Sequence, residues 1–257
     1  MDFLNVNKSN FIAVVTINNP PANALASGVL KELSSFLDEV ENDESVRVIV
    51  LHGEGRFFSA GADIKEFVQV PSGAAFSSLA TRGQELFERI ETFSKPIIAA
   101  IHGAALGGGL ELAMSCHMRI VTEDAKLGLP ELQLGIIPGF GGTQRLPKYV
   151  GTGRALEMML TSEPISGTEA VKLGLANHAF SQDLLLDEVK NIAAKFAQKS
   201  PQSVKAVISL LNVSKQKSHA EGMKQEADEF GALFGSADAK EGITAFIEKR
   251  KPTFTGK

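Results

Sequence analysis

Two glutamates and two glycine-rich turns hold the residues whose types and spacing could do chemistry. Glu111 lies in the otherwise apolar stretch 106–114, three residues after Gly108, which is about one helical turn. Glu131 follows Gly128-Leu129-Pro130 and precedes Leu132, again in apolar company. Burying a carboxylate is costly unless it has a partner or a task, so each glutamate is a candidate acid or base. A salt-bridged or helix-capping glutamate is the plain alternative, and spacing alone does not bring residues 111 and 131 together. The first turn runs Phe58-Ser59-Ala60-Gly61-Ala62-Asp63-Ile64-Lys65, and the second runs from His102 through Gly107-Gly108-Gly109 to Glu111. Small residues there let a ligand approach backbone N–H groups closely. A helix opened by the second turn would add free N–H groups and a dipole that favour negative charge. Two such amides aimed at one carbonyl oxygen would form an oxyanion hole. Glycines that only let a helix pack tightly on a strand would give the same pattern.

Other chemistries find no matching residues. No Gly-Lys-Ser/Thr occurs, so a P-loop is excluded. Gly139-Phe-Gly141 and Gly151-Thr-Gly153 both lack the third glycine of a dinucleotide fingerprint. Ser59 is not flanked as a hydrolase nucleophile elbow requires. The five histidines, His52, His102, His117, His178 and His219, show no zinc-protease spacing, and no metal site is expected.

The turns must be held by something regular, and the first half of the chain alternates strands with helices. The expected strands are 11–17, 46–51, 96–101 and 119–121. Between them, Ser27 is expected to cap a helix to about Val40, 74–93 reads as a helix, and 107–116 as a helix opened by glycines. Both glycine-rich turns thus fall just past the C-terminal end of a strand, where α/β folds place ligands. Beyond Phe140 strand signals nearly vanish. Ser166-Gly167-Thr168-Glu169 has capping-box spacing, and 181–198, 201–213, 219–233 and 238–249 carry helical periodicity. The pattern predicts an α/β body over 1–195 and a helical region over 196–257.

Composition narrows the class. The chain has 257 residues, 26 Lys+Arg against 30 Asp+Glu, and one cysteine, Cys116. A disulfide framework and a cysteine metal cluster are excluded. The start, Met1-Asp2-Phe3-Leu4-Asn5, has no basic segment followed by an apolar run, so no secretory signal is expected. The longest apolar stretch, 96–114, is broken by His102, glycines and Glu111, a poor membrane span. A cytoplasmic protein without membrane or nucleic-acid partners is the expectation. Fourteen of the 24 glycines fall within 53–142, so the glycine excess is local to the candidate turns.

The segments FFSAGADIKEF, KPIIAAIHGAALGGGLELAMSC and KLGLPELQLGIIPGFGGTQRLPKYVG, in that order, resemble the enoyl-CoA hydratase (crotonase) family. PPANAL near the start, TGRALEMMLTSEPISGTEAVKLGL after the core and EGITAFIEKRKPTF at the end extend the likeness over nearly the whole chain. The resemblance implies a spiral of repeated ββα units with a C-terminal helical region for trimer contacts, and a hexamer built from two trimers. It implies a coenzyme A thioester as ligand and no separate cofactor. By motif position, the Ala62 and Gly108 amides would bind the thioester oxygen. Ala60, Ala62, Asp63, Ile64, Lys65 and Gly108 would contact substrate, with Lys65 in the coenzyme A channel. The two hydratase glutamates map onto Glu111 and Glu131.

The resemblance further implies hydration of a trans-2-enoyl-CoA to a 3-hydroxyacyl-CoA, as in fatty-acid β-oxidation. Enoyl-CoA isomerisation, or hydration of an unusual acyl-CoA, is the rival on the same scaffold. An RNA-binding or scaffolding member is a remoter one, since the basic clusters Lys215/Lys217 and Lys249-Arg250-Lys251 are short. Three departures bear on detail: His117 where Asp is frequent, Phe140 where Ala is common and could narrow an acyl pocket, and the turn NNPPANAL at 18–25, one residue shorter than the family's usual one.

Overall fold

Apolar, β-branched runs build the centre of the molecule. In a computed structural model that describes residues 1–68, 72–215 and 217–257, they form one six-stranded sheet. Its strands are β1 (Leu4–Ser9), β2 (Ile12–Ile17), β3 (Val48–Gly53), β4 (Ile97–Ile101), β6 (Met118–Thr122) and β9 (His178–Phe180), in that spatial order. β1 and β2 form an antiparallel hairpin, and the remaining neighbours are parallel. A second, three-stranded sheet joins β5 (Ala104–Leu106), β7 (Lys126–Gly128) and β8 (Ile165–Ser166). Isolated bridges Leu25↔Ala62 and Ser59↔Ala105 extend its pairing to earlier turns of the chain.

This is the spiral of ββα units. Each turn lays one strand in the large sheet, makes a short pairing in the second layer, and returns through a helix. Leu25 leads to α1 (Ser27–Glu41); the 59–62 segment leads through α2 (Ile64–Phe67) to α3 (Gly73–Glu91); β5 leads to α4 (Gly108–Ser115). After β7 come α5 (Gly142–Val150) and α6 (Thr152–Thr161), and after β8 comes α7 (Gly167–Lys172). Alternate residues of the large sheet enter two cores. Ile49 and Leu51 pack towards α1, α3 and α4. Val48, Val50, Ile98 and Ile120 pack on the other face against Leu185, Val189 and Ala193 of α8 (Leu185–Ala197). Both faces are covered, which is why these strands read as unbroken apolar runs. The C-terminal helices are α9 (Pro201–Val213), α10 (His219–Phe234) and α11 (Ala237–Ile247).

Several expectations need correction. Strand β1 was not foreseen: Asn5, Asn7, Lys8 and Ser9 are polar and all of Leu4–Ser9 except Leu4 is exposed at the sheet edge, so pairing with β2 is what makes it a strand. Ser27 is not the helix cap. Ala26 holds that position without a side-chain bond, while the Ser27 amide and hydroxyl donate to Glu66 at 3.0 and 2.7 Å. A carboxylate from α2 thus sits at the positive end of α1. The strand expected at 46–51 lies at Val48–Gly53, in register with β2. The helix expected from residue 181 starts at Leu185, after a turn in which the Leu184 and Leu185 N–H groups donate to Ser181 O. Strands continue beyond Phe140 as β8 and β9, too short to leave a periodic signal. Gln216, between Lys215 and Lys217, lies outside the described residues.

Candidate active site

The two glycine-rich turns meet because the spiral stacks them. Ser59 N–H donates to Ala104 O, and Leu106 N–H donates to Ser59 O, so the 59–62 segment pairs with β5. On its other side, Ala60 N–H donates to Ala22 O and Leu25 N–H to Gly61 O. Asn23, buried in the same approach, donates to Glu54 O and Phe57 O at 2.9 and 2.7 Å. The segment carrying Ala62 is therefore clamped on both sides. A Cβ placed on Gly108 would lie 3.3 Å from the Ala62 nitrogen, so the two amides are close neighbours. Gly108 is the first residue of α4, where no preceding carbonyl takes its N–H. Among the described residues, neither N–H donates to a turn, loop or cap carbonyl.

The three consecutive glycines do three different things. Gly107 has φ +50° with ψ −128°, a conformation that favours glycine, and a Cβ there would meet Glu131 Oε1 at 3.0 Å. Gly108 faces the ring of Phe140, 3.3 Å from such a Cβ. Gly109 is pure packing: a Cβ would fall 2.3 Å from Ser59 O. Gly109 is thus closed off by packing, while Gly108, one residue before it, lines the cavity.

A single cavity is lined by Ala60, Gly61, Ala62, Gly107, Gly108, Glu111 and Glu131. Glu111 is only 1 % exposed. Its Oε1 accepts from the N–H groups of Phe140 (2.8 Å) and Gly142 (2.7 Å). Burial, reinforced by the negative neighbour Glu131, pushes its carboxyl up to about 7, against the pull of the two amides and Arg145. Glu131 begins a 3-10 turn, Glu131–Leu134, and burial raises its proton affinity too. Its Oε2 is buried without a hydrogen-bond partner among the described residues. Two carboxyls with raised proton affinity and a pair of amides thus share one wall. Such a set can hold a developing oxyanion and pass a proton beside it.

The remaining substrate-contact candidates divide. Ala60 and Ile64 line the cavity with Ala62 and Gly108, whereas Asp63 and Lys65 stand outside its lining. Asp63 caps α2, its Oδ1 accepting from Lys65 N–H at 2.9 Å. Phe140, singled out from the sequence, lines the apolar wall; the rest of that wall was not singled out: Phe76, Leu79 and Ala80 from α3, and Ile136 and Ile137 after the 3-10 turn. The spacing 76, 79, 80 marks one helical face and could have pointed to it. No spacing could have revealed the amides on Glu111, which come from some 30 residues along the chain.

Comparisons with known proteins bear on the family and the fold. The family model for enoyl-CoA hydratase/isomerase matches residues 7–257. A probable enoyl-CoA hydratase of Bacillus subtilis is 60% identical over 257 residues, covering all of both chains. A crotonyl-CoA hydratase of Syntrophomonas wolfei is 43% identical over 97% of this chain and 96% of its own. The crystal structure of an enoyl-CoA hydratase from Bacillus anthracis superposes with a TM-score of 0.94 at 35% identity, covering 99% of this chain and 100% of the other.

Proposed function

The chain belongs to the enoyl-CoA hydratase/isomerase family, and from that premise we propose that it adds water across the 2,3 double bond of a trans-2-enoyl-CoA to give a 3-hydroxyacyl-CoA. The observation that carries the reading is the convergence of Glu111 and Glu131 on the cavity that also presents the Ala62 and Gly108 amides. The thioester oxygen sits between those two N–H groups. As water attacks C3, negative charge gathers on that oxygen, and one donor of this kind is worth about 3–4 kcal/mol. Glu111, ionised, takes the proton of the attacking water; Glu131, protonated, delivers a proton to C2. The pair needs one proton between them, and burial raises both carboxyls towards the range where one proton is shared. These steps call for no metal or redox group. Coenzyme A leaves the cavity past Ala60 and Ile64, with Asp63 and Lys65 on the rim.

Hydration rather than isomerisation is favoured by the presence of both carboxylates, one to activate water and one to protonate carbon. The reading places the enzyme in the cytoplasm, in fatty-acid β-oxidation. It assembles as a homo-hexamer of two trimers, a proposal supported by apolar side chains left exposed on α6, α10 and α11. Among the described residues no helix is long and apolar enough to cross a membrane.

The test is loss of enoyl-thioester absorbance on adding crotonyl-CoA. Glu111→Gln and Glu131→Gln should each lower kcat by about 10²-fold or more while the fold is retained. Equal turnover by wild type and both variants would sink the assignment.

A further inference from the structure

Glu111 is held by a turn, and that turn is itself held by a chain of charges running to the C-terminal helices. Phe140 and Gly142 give their N–H groups to Glu111 Oε1. The carbonyls of the same turn are engaged as well. Gly139 O accepts from Gln84 Nε2 at 2.8 Å, and Phe140 O accepts from Arg145 Nη1 at 2.9 Å. Gly139 O and the Phe140 N–H belong to one planar peptide, so Gln84 fixes the plane that donates to Glu111. Arg145 fixes the next plane. Its guanidinium is nearly buried, with Nε 2.9 Å from Glu91 Oε2 and Nη2 3.5 Å from Glu88 Oε2. The second Glu91 oxygen takes Lys215 Nζ, and the Glu91 carbonyl accepts from Asn212 Nδ2 at 3.0 Å.

The backbone is shaped around this guanidinium. Gly141 has φ +100°, and a Cβ there would fall 2.5 Å from Arg145 Nη1. A residue with a side chain would displace the Arg145 arm that holds the turn. Burying a charge is favourable only if its bonds are completed. The bonds that complete it lead to the turn that holds Glu111.

We propose that Arg145 is a positioning residue for the reaction: braced by Glu91, it holds the 139–142 turn so that the Phe140 and Gly142 amides fix the Glu111 carboxylate, while Lys215 and Asn212 tie the brace to the C-terminal helices. The proposal rests on the hydratase reading, since Glu111 is the group positioned. It has an electrostatic side too. The charged groups facing Glu111 are Glu131, which favours its protonated form, and Arg145, which favours its ionised form. Those facing Arg145 are Glu88, Glu91 and, through Glu91, Lys215.

The experiment uses the full-length enzyme and two readouts, one of which needs no substrate. Arg145→Met keeps the aliphatic stem and removes the guanidinium. Hydrogen exchange at the Phe140 and Gly142 amides should quicken by about tenfold or more. With crotonyl-CoA, kcat should fall by about 10- to 100-fold with KM within about twofold, the mark of a misplaced group rather than lost binding. The acid limb of the pH profile should move to higher pH, because Glu111 loses a positive neighbour. Arg145→Lys returns the charge but not the fork of donors, so it should restore the limb and less of kcat. Glu91→Gln and Lys215→Met should shift exchange and kcat in the same direction by smaller factors, and they decide the matter if Arg145→Met does not fold. Wild-type exchange at both amides, or a lowered Tm with kcat and acid limb unchanged, would overturn the brace. A wild type that leaves crotonyl-CoA untouched would instead defeat the hydratase reading, and the exchange result would still decide the brace.

Discussion

Glu111 acquires its chemistry from being buried beside another carboxyl. Two backbone amides on one oxygen and the nearby Arg145 favour the ionised carboxylate, yet burial and Glu131 outweigh them and leave its proton affinity at about 7. An exposed glutamate would be a far weaker base at neutral pH, while one raised much higher would stay protonated. The proposed role requires the ionised form, so activity is present above this value and lost below it. We expect kcat/KM for crotonyl-CoA to fall by about tenfold per pH unit well below pH 7. Glu131→Gln, which puts a neutral amide where the working form has the protonated acid, should leave the residual limb in place. A profile flat from about pH 5 to 8 in the wild type would contradict the assignment of Glu111 as the proton acceptor. Both glutamates were legible in the sequence because a carboxylate among apolar residues is conspicuous. Their partners were not, since the Phe140 and Gly142 amides reach Glu111 only when the chain has wound another turn of the spiral.

At the scale of elements, helices expected from periodicity lie close to where they were read, because each carries a long amphipathic face: α1, α3, α9 and α10 are examples. The short elements were hidden for the opposite reason. β8 has two residues and β9 three, and the bridges at Leu25, Ser59 and Ala62 are single pairings that only the stacking of turns creates. Those small pairings align the two candidate amides. Helix α3 contributes in a second way. Gly83 on its inner face accepts the ring of Phe140, since a Cβ there would lie 2.5 Å from Phe140 Cδ1, and Phe87 meets the same ring edge-on at 5.5 Å. Phe140 is thus pinned between α3 and Gly108 at the wall of the cavity. A ring so confined cannot swing aside for a longer acyl chain. Phe140→Ala keeps the amide that holds Glu111 but opens this space. Its kcat/KM for 2-octenoyl-CoA relative to crotonyl-CoA should rise by about tenfold, within the range that small volume changes in an apolar pocket produce. An unchanged ratio across chain lengths would show that the ring does not bound the acyl site.

The molecule as a whole leaves one set of surfaces unsatisfied. The α/β body covers both faces of its main sheet, with α8 on one side and α1, α3 and α4 on the other. The C-terminal helices do not close on themselves in the same manner. α10 has no buried residue over its 16 positions, and Phe230 and Phe234 on it are 73% and 64% exposed. On α11, Phe246 and Ile247 are 85% and 73% exposed, and Leu156 and Leu160 on α6 are also open. Yet α10 begins with a complete capping box at Ser218 and Glu221, and Asp238 ties residues 255 and 256 back to α11. These helices are therefore well formed at their ends while presenting aromatic side chains outward, as expected of surfaces that pack against other copies. The fit to the proposed hexamer is testable on the purified enzyme by light scattering coupled to gel filtration. The wild type should elute with about six times the 27.4 kDa mass of one chain. Phe230→Asp combined with Phe246→Asp should yield smaller species, because a charge on each aromatic position would have to be buried unpaired. A monomeric wild type would rule out the assembly, and a double variant that remains hexameric would move the interface away from α10 and α11.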